Sequence, residues 1–326
     1  MKKLFHLRTF LIIMSSSVKF RRKPSSTSVV GVLAFIICTG RIAWTNLQDK
    51  MLLLALLMIM LVSMFFLFVE PIAQPQTYHN FADKRLFLCA CHLSSEGLFL
   101  PPNSDIGRNR SAGLIIPNFG DVVSNSVILI GGLSGTILLY FYDIREEVDE
   151  ARLWQLEVCL PIFFYSTIAI SFGSTYYHWN PNNQTLVWDR LPMTVAFVSI
   201  FCYILEDYLE EGIGSSLLSP LIFIGVMSVL YWNWTDDLRL YALVQFLPLV
   251  VMAILLMFCQ SRYGGAMQHS LALILYALAK MCEDRDYQIW QQTKKTISGH
   301  SLKHILAGMA SITLATLLIG NEENGV

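Results

Sequence analysis

The chain of 326 residues carries a formal net charge of −1, with 54% hydrophobic and only 14% charged residues. A soluble domain has about 25% charged residues, so this composition excludes an ordinary globular enzyme and describes a polytopic membrane protein. No basic stripe with interleaved aromatics is present, which leaves nucleic acid without a footprint.

Residues 1–48 hold eight Lys or Arg and no Asp or Glu, with serine clusters at Ser15–Ser17 and Ser25–Ser28. That pattern suits a targeting segment or a basic cytosolic tail, assigned here to 1–50. The apolar run Val29–Cys38 is short for a span and is followed by Arg41. Met51–Val69 is nearer the ~20 residues that a bilayer requires and is predicted to be an N-terminal transmembrane helix (51–69). A polar stretch, 70–121, separates it from seven apolar runs at about 122–142, 156–178, 191–208, 216–232, 240–259, 265–282 and 299–319. The expected fold is all-α: a seven-transmembrane helix bundle over 122–320, one or two additional N-terminal helices, and a short tail at 321–326. The seven cysteines mostly stand alone inside apolar runs, as inert buried thiols do. Cys89-Ala-Cys91-His92 has no second half at zinc-finger spacing.

Polar residues that carry chemistry gather where these runs begin and end. Ser174 and His178 are four apart at the end of the second run, His300 and His304 four apart at the start of the seventh, and each pair shares a helix face. Asp189 precedes the third run. An even number of crossings separates these positions, so all of them, with Ser124 and Asn125, belong at one membrane surface. The sequons at Asn109, Asn183 and Asn233 fall on that surface, which suits a lumenal side, while its excess of Lys and Arg argues for the cytosol. Endoplasmic reticulum or Golgi membranes are the expected location.

Three histidines with two at i, i+4 match the three-ligand, one-open-position pattern of catalytic zinc. Zinc there would bring the pKa of bound water to about 7 and polarise a carbonyl. Asp189 is a candidate proton carrier or ligand orienter, and equally an N-terminal helix cap. Ser174 is a candidate oxyanion donor, or a packing serine in Ser171-Phe-Gly-Ser174. His269, His6 and His92 have no spaced partner and read as hydrogen-bonding residues. Lys303 is expected to extend its ammonium to the membrane surface.

At these residues the chain resembles the ceramidase-type membrane hydrolases, in the superfamily of alkaline ceramidases and adiponectin/progestin receptors. The resemblance runs through Gly173, Ser174, His178, Asp189, Leu191, Pro192, Met193, His300 and His304. It extends to Asn118-Phe-Gly-Asp-Val-Val-Ser-Asn125 and to Tyr78-His-Asn-Phe-Ala-Asp83, the latter as in the plant and bacterial branch. It implies seven helices, zinc on His178, His300 and His304, and Ser174 and Asp189 beside the attacking water. The implied reaction is hydrolysis of the amide of ceramide or phytoceramide to sphingoid base and fatty acid. The animal enzymes carry an acidic calcium-binding segment, Asp-Trp-x-Glu, that has no match here, so Asp83, Asn118 and Asp121 are the only candidates for Ca2+. Residues 89–112 stand where the family has a short connector and read as an inserted loop at the mouth of the site. A receptor-like member of the same architecture and a transporter are the alternative readings; a transporter would spread its polar residues through the midplane.

Overall fold

A computed structural model of the chain describes residues 66, 68–89, 114–141 and 150–319. The basic segment 1–50, nearly all of the expected span 51–69, Cys91, His92, most of the expected insertion and the tail 321–326 lie outside them. The described chain is almost entirely helical. Helix α1 is Phe119–Phe141; α2 runs over Glu150–Trp179 with a π-helical turn at Gln155–Cys159. They are followed by α3, Asn183–Tyr208, α4, Ile213–Thr235, α5, Arg239–Phe258, and α6, Ala266–Asp284. A short α7, Asp286–Gln292, leads to α8, Gly299–Ala315, which tightens into a 3-10 turn at Thr316–Leu318.

Six of these helices, α1 to α5 and α8, are long and apolar enough to cross a bilayer, so the protein is an integral multi-pass membrane protein. Helix α6 is of comparable length but carries Gln268 and His269 at one end and Lys280, Glu283 and Asp284 at the other. The bundle core is built from Leu160, Phe164, Cys202, Leu205 and Ala315, which are fully or almost fully buried. Residues facing outward are as apolar as those inside: Ile130, Ile137, Phe223 and Ile274 are all exposed. That inversion is what a lipid solvent selects.

Small residues set the closest helix approaches. Gly308 of α8 lies against the backbone of Val127 in α1, and Gly131 of α1 lies against the carbonyl of Gly308. Gly173 of α2 meets the backbone of Trp188 in α3. The Trp188 carbonyl is the one that Pro192, inside α3, leaves without its helical N–H donor.

Before α1, residues 70–86 form a strap across one end of the bundle, with a 3-10 turn at Gln76–His79. The strap then enters β1, Phe87–Cys89, which pairs antiparallel with β2, Leu114–Ile116, in the register Phe87↔Ile116. The expected insertion therefore leaves and rejoins the fold at one paired point, beside the start of α1.

Candidate metal centre

The two ends of the bundle differ in chemistry. One end collects the strap, the starts of α1, α3, α5 and α8 and the ends of α2, α4 and α6. The expectation that the candidate residues share one end is met by direct contacts among them.

The three histidines converge. Ring centroids are 4.7 Å apart for His178 and His300, 4.9 Å for His178 and His304, and 4.9 Å for His300 and His304. All three are buried, and their ligand atoms lie within 4.8 Å of one another. Nε2 of His178 and Nε2 of His300 are 3.2 Å apart. Two imidazole nitrogens on one tetrahedral zinc, each at 2.0–2.1 Å, stand about 3.3 Å from each other. The spacing therefore fits a shared ion. A hydrogen bond between the two rings would satisfy them as well, but would leave the third ring outside it.

The surrounding groups fix which nitrogens face inward. Ser124 Oγ is 2.8 Å from His304 Nδ1 and donates its own proton to the Asp121 carbonyl at 3.1 Å. Nδ1 of His304 must then carry the proton, leaving Nε2 as a bare donor atom for a metal. The Gly308–Val127 approach positions this pair by bringing α8 onto α1. His300 is held through its backbone: its N–H donates to Asp286 Oδ1 at 2.8 Å. His178 is pinned by its carbonyl, which accepts from Asn118 Nδ2 at 2.8 Å. Its Nδ1 is buried without a hydrogen-bond partner, so of the three rings it has the least support.

Ser174 and Asp189 are also brought to the cluster, both buried. Because Gly173 lets α2 approach the backbone at Trp188, the next residues along each helix meet. Ser174 Oγ lies 3.4 Å from His304 Nε2, with the buried Asp189 carboxyl beside it. Asp189 does not cap α3, contrary to the capping alternative. Helix α3 starts at Asn183, earlier than its apolar run, and Asn182 caps it in a capping box with Thr185. Asp189 thus lies inside the helix, free of capping duty, with its carboxyl buried on the side of Ser174.

The strap roofs the site. Phe81 packs its ring 4.5 Å from His178 and 4.8 Å from His300. It is held there by Ala82 N–H to Asp286 Oδ2 at 2.9 Å and by Tyr78 Oη to Glu283 Oε1 at 3.1 Å. His79 bonds Tyr177 Oη through Nδ1 and Asn183 Oδ1 through Nε2, each at 2.8 Å. The Asn183 sequon residue is thereby tied into the fold, whereas Asn233 lies exposed at the end of α4. Asp286 joins roof to floor, since one of its oxygens holds the strap and the other holds His300.

Calcium does not fit the three candidates for it. Both oxygens of Asp83 accept from Arg85, the closest contact at 2.6 Å, and one also accepts the Gly120 N–H at 3.0 Å. Asp121 Oδ1 accepts from Ser298 and Ser301, both at 2.7 Å, and Asn118 is turned to His178. These residues tie α1 to α8 and leave a single buried carboxylate oxygen, Asp121 Oδ2, without a hydrogen-bond partner, rather than an open ligand set.

Lys303 departs from its expectation. Instead of reaching for the membrane surface it turns inward, with Nζ 3.1 Å from Glu283 Oε1 and 2.8 Å from His300 Nε2. Glu283 also binds Lys280. Sequence reasoning passed over Glu283 because it looks like one of several charges ending α6, and its only signal was an acidic residue within an otherwise spanning run. His269 meets its expectation of an ordinary partner: at the far end of the bundle its Nδ1 is 3.0 Å from Tyr208 Oη.

Compared with models of known protein families and with curated proteins, the chain matches none. What the described residues establish is a buried three-histidine cluster, suited to a metal such as zinc, inside a multi-pass membrane protein.

Proposed function

We propose that the chain is a seven-span intramembrane zinc hydrolase that cleaves the amide bond of a ceramide-type lipid, ceramide or phytoceramide, with α6 as the seventh span. One observation carries this reading: three buried imidazoles converge with a serine hydroxyl, and with a buried carboxyl nearby, just inside a wall of apolar helices. A lipid amide suits such a place, since its chains can stay among apolar side chains while its polar bond reaches the cluster.

His178, His300 and His304 would hold the ion, which supplies a Lewis acid able to bring water's pKa to about 7 and to polarise a carbonyl. The protein's own residues do the rest. Asp189 takes the proton of the attacking water and delivers it to the amide nitrogen. The water oxygen stays with the acyl carbon, the C–N bond breaks, and fatty acid and sphingoid amine separate. Ser174 fixes the direction of the Asp189 carboxyl. Phe81 and the strap keep bulk water from the rings, which strengthens every electrostatic contact beneath them. Membranes of the endoplasmic reticulum or Golgi are the corresponding location.

Purified protein in detergent, measured for bound zinc and for fatty-acid release from ceramide and phytoceramide, tests the reading. One zinc per chain and release of both products are expected. Stoichiometric zinc with intact ceramides would overturn the substrate, and no zinc would overturn the mechanism.

A further inference from the structure

Lys303 is the charged group that the three-histidine reading leaves without a task. It follows His300 by three residues on α8, and its side chain is only 16% exposed. A lysine this close to a membrane surface normally extends its stem outward into water. Here the stem turns inward, and two separate tethers explain why. Glu283 holds the ammonium at 3.1 Å, and Glu283 is itself fixed by Lys280 on one oxygen and by Tyr78 on the other. Two lysines share one carboxylate, so the group is net positive where it borders the histidines. Lys303 Nζ lies 2.8 Å from the nitrogen of His300 that faces the cluster.

Amide hydrolysis needs positive charge at a particular place. Negative charge grows on the carbonyl oxygen as water adds, and the product is a carboxylate. Ser174, the first candidate for stabilising that oxygen, offers one neutral donor and lies 3.4 Å from His304 Nε2, whereas an ammonium brings full positive charge. Among the described residues around the cluster, Lys303 is the cation within hydrogen-bond distance of a metal-ligand atom. Its three N–H donors exceed what Glu283 alone requires. A donor already tethered costs little to reorganise when charge develops, which is the condition for electrostatic catalysis.

We propose, on the basis of the amidase reading above, that Lys303 is a catalytic residue. Its ammonium donates to the carbonyl oxygen of the lipid amide, then to the carboxylate of the released fatty acid. Glu283 is its positioning residue.

The test uses full-length, zinc-loaded protein in micelles and compares wild type with Lys303→Met and Lys303→Arg. Zinc content, kcat and KM for ceramide are measured, together with equilibrium binding of palmitate and of hexadecanol, a chain of equal length without charge. Lys303→Met is expected to retain its zinc, to lose about 100-fold in kcat, the size of one lost oxyanion donor, and to keep KM. Its palmitate affinity falls by about tenfold with hexadecanol unchanged, and Lys303→Arg recovers part of the palmitate binding, as restoring one charge-assisted hydrogen bond predicts. Equal palmitate binding by wild type and Lys303→Met overturns the assignment, as does a matching loss of both ligands, which reports pocket shape rather than charge. Lys303→Gln, similar in length, takes over if the methionine protein does not fold. Should wild type leave ceramide intact, the amidase reading fails by itself, and the palmitate-to-hexadecanol comparison still decides whether Lys303 recognises a carboxylate.

Discussion

Replacing Ser124 by alanine separates a metal centre from a merely packed cluster of histidines. The Ser124 hydroxyl sits 2.8 Å from His304 Nδ1 and touches no other imidazole. Removing it deletes that hydrogen bond and the one the hydroxyl donates to the Asp121 carbonyl, but only the first bears on the imidazole, whose buried Nδ1–H loses its hydroxyl partner. The loss reaches metal affinity only through the difference between the ring with and without an ion. A hydrogen bond to a neutral group contributes about 1 kcal/mol and one to a charged group about 1.5–3 kcal/mol. An imidazole that has given its lone pair to a dication lies toward the charged limit, so the differential is roughly 1–2 kcal/mol. That is between about five- and thirtyfold in dissociation constant, since 1.4 kcal/mol is a factor of ten. It overlaps the lower part of the 10- to 100-fold range usual for outer-shell partners of metal-bound histidines. Competition with a calibrated chelator at fixed pH measures it, with thermal unfolding of the metal-free protein as the folding control. Zinc binding in Ser124→Ala as tight as in wild type would refute the tautomer argument and with it the inward-facing Nε2 of His304.

Further outcomes follow from the same geometry. His300→Ala should abolish stoichiometric zinc and ceramide turnover together, checked by metal analysis and product release; retained metal would remove His300 from the site. Asp189→Asn should keep the zinc and lose at least 100-fold in kcat, the lower range for a general acid–base residue, as single-turnover assays would read. Gly308→Leu should lower stability by more than about 2 kcal/mol, as overpacking at a close contact does, because its side chain would meet the Val127 backbone; thermal unfolding in detergent reports it. Outside the spans, burial pushes the Asp237 carboxyl up, but hydrogen bonds from Arg239 outweigh it and hold the group below its ordinary value. A folded value below the unfolded value, about 3.9, stabilises above that pH and is lost as pH falls through the folded one. The difference in melting temperature between wild type and Asp237→Asn should therefore be full at pH 6 and shrink below about pH 4.

The sequence made most of the membrane architecture legible because hydrophobic length leaves little choice in a bilayer: every apolar run of the core became a helix, most with boundaries shifted by only a few residues. The start of α3 was the main exception. Its first turns are polar, and the signal for them was not apolar periodicity but Asn182 and Thr185, which form the capping box. The three histidines and Ser124 were legible from spacing and parity. Other features depended on approach rather than pattern. Nothing in the order of residues says that Gly173 admits a neighbouring backbone, so the Ser174–Asp189 contact emerges only in three dimensions. Lys303 misled for a related reason: whether a long cation turns outward or inward depends on a carboxylate, Glu283, supplied by a different helix.

Asp286 gives the roof of the site a further consequence. One carboxylate grips both the strap, at Ala82, and the backbone of His300, so chain outside the bundle helps hold a candidate metal ligand in place. Shortening the protein to its hydrophobic helices would keep the three clustered histidines yet discard part of the mount that orients them. A protein trimmed to begin at Phe119 is thus expected to insert in the membrane but to hold less zinc than the full chain. Keeping residues 70 onward should restore it.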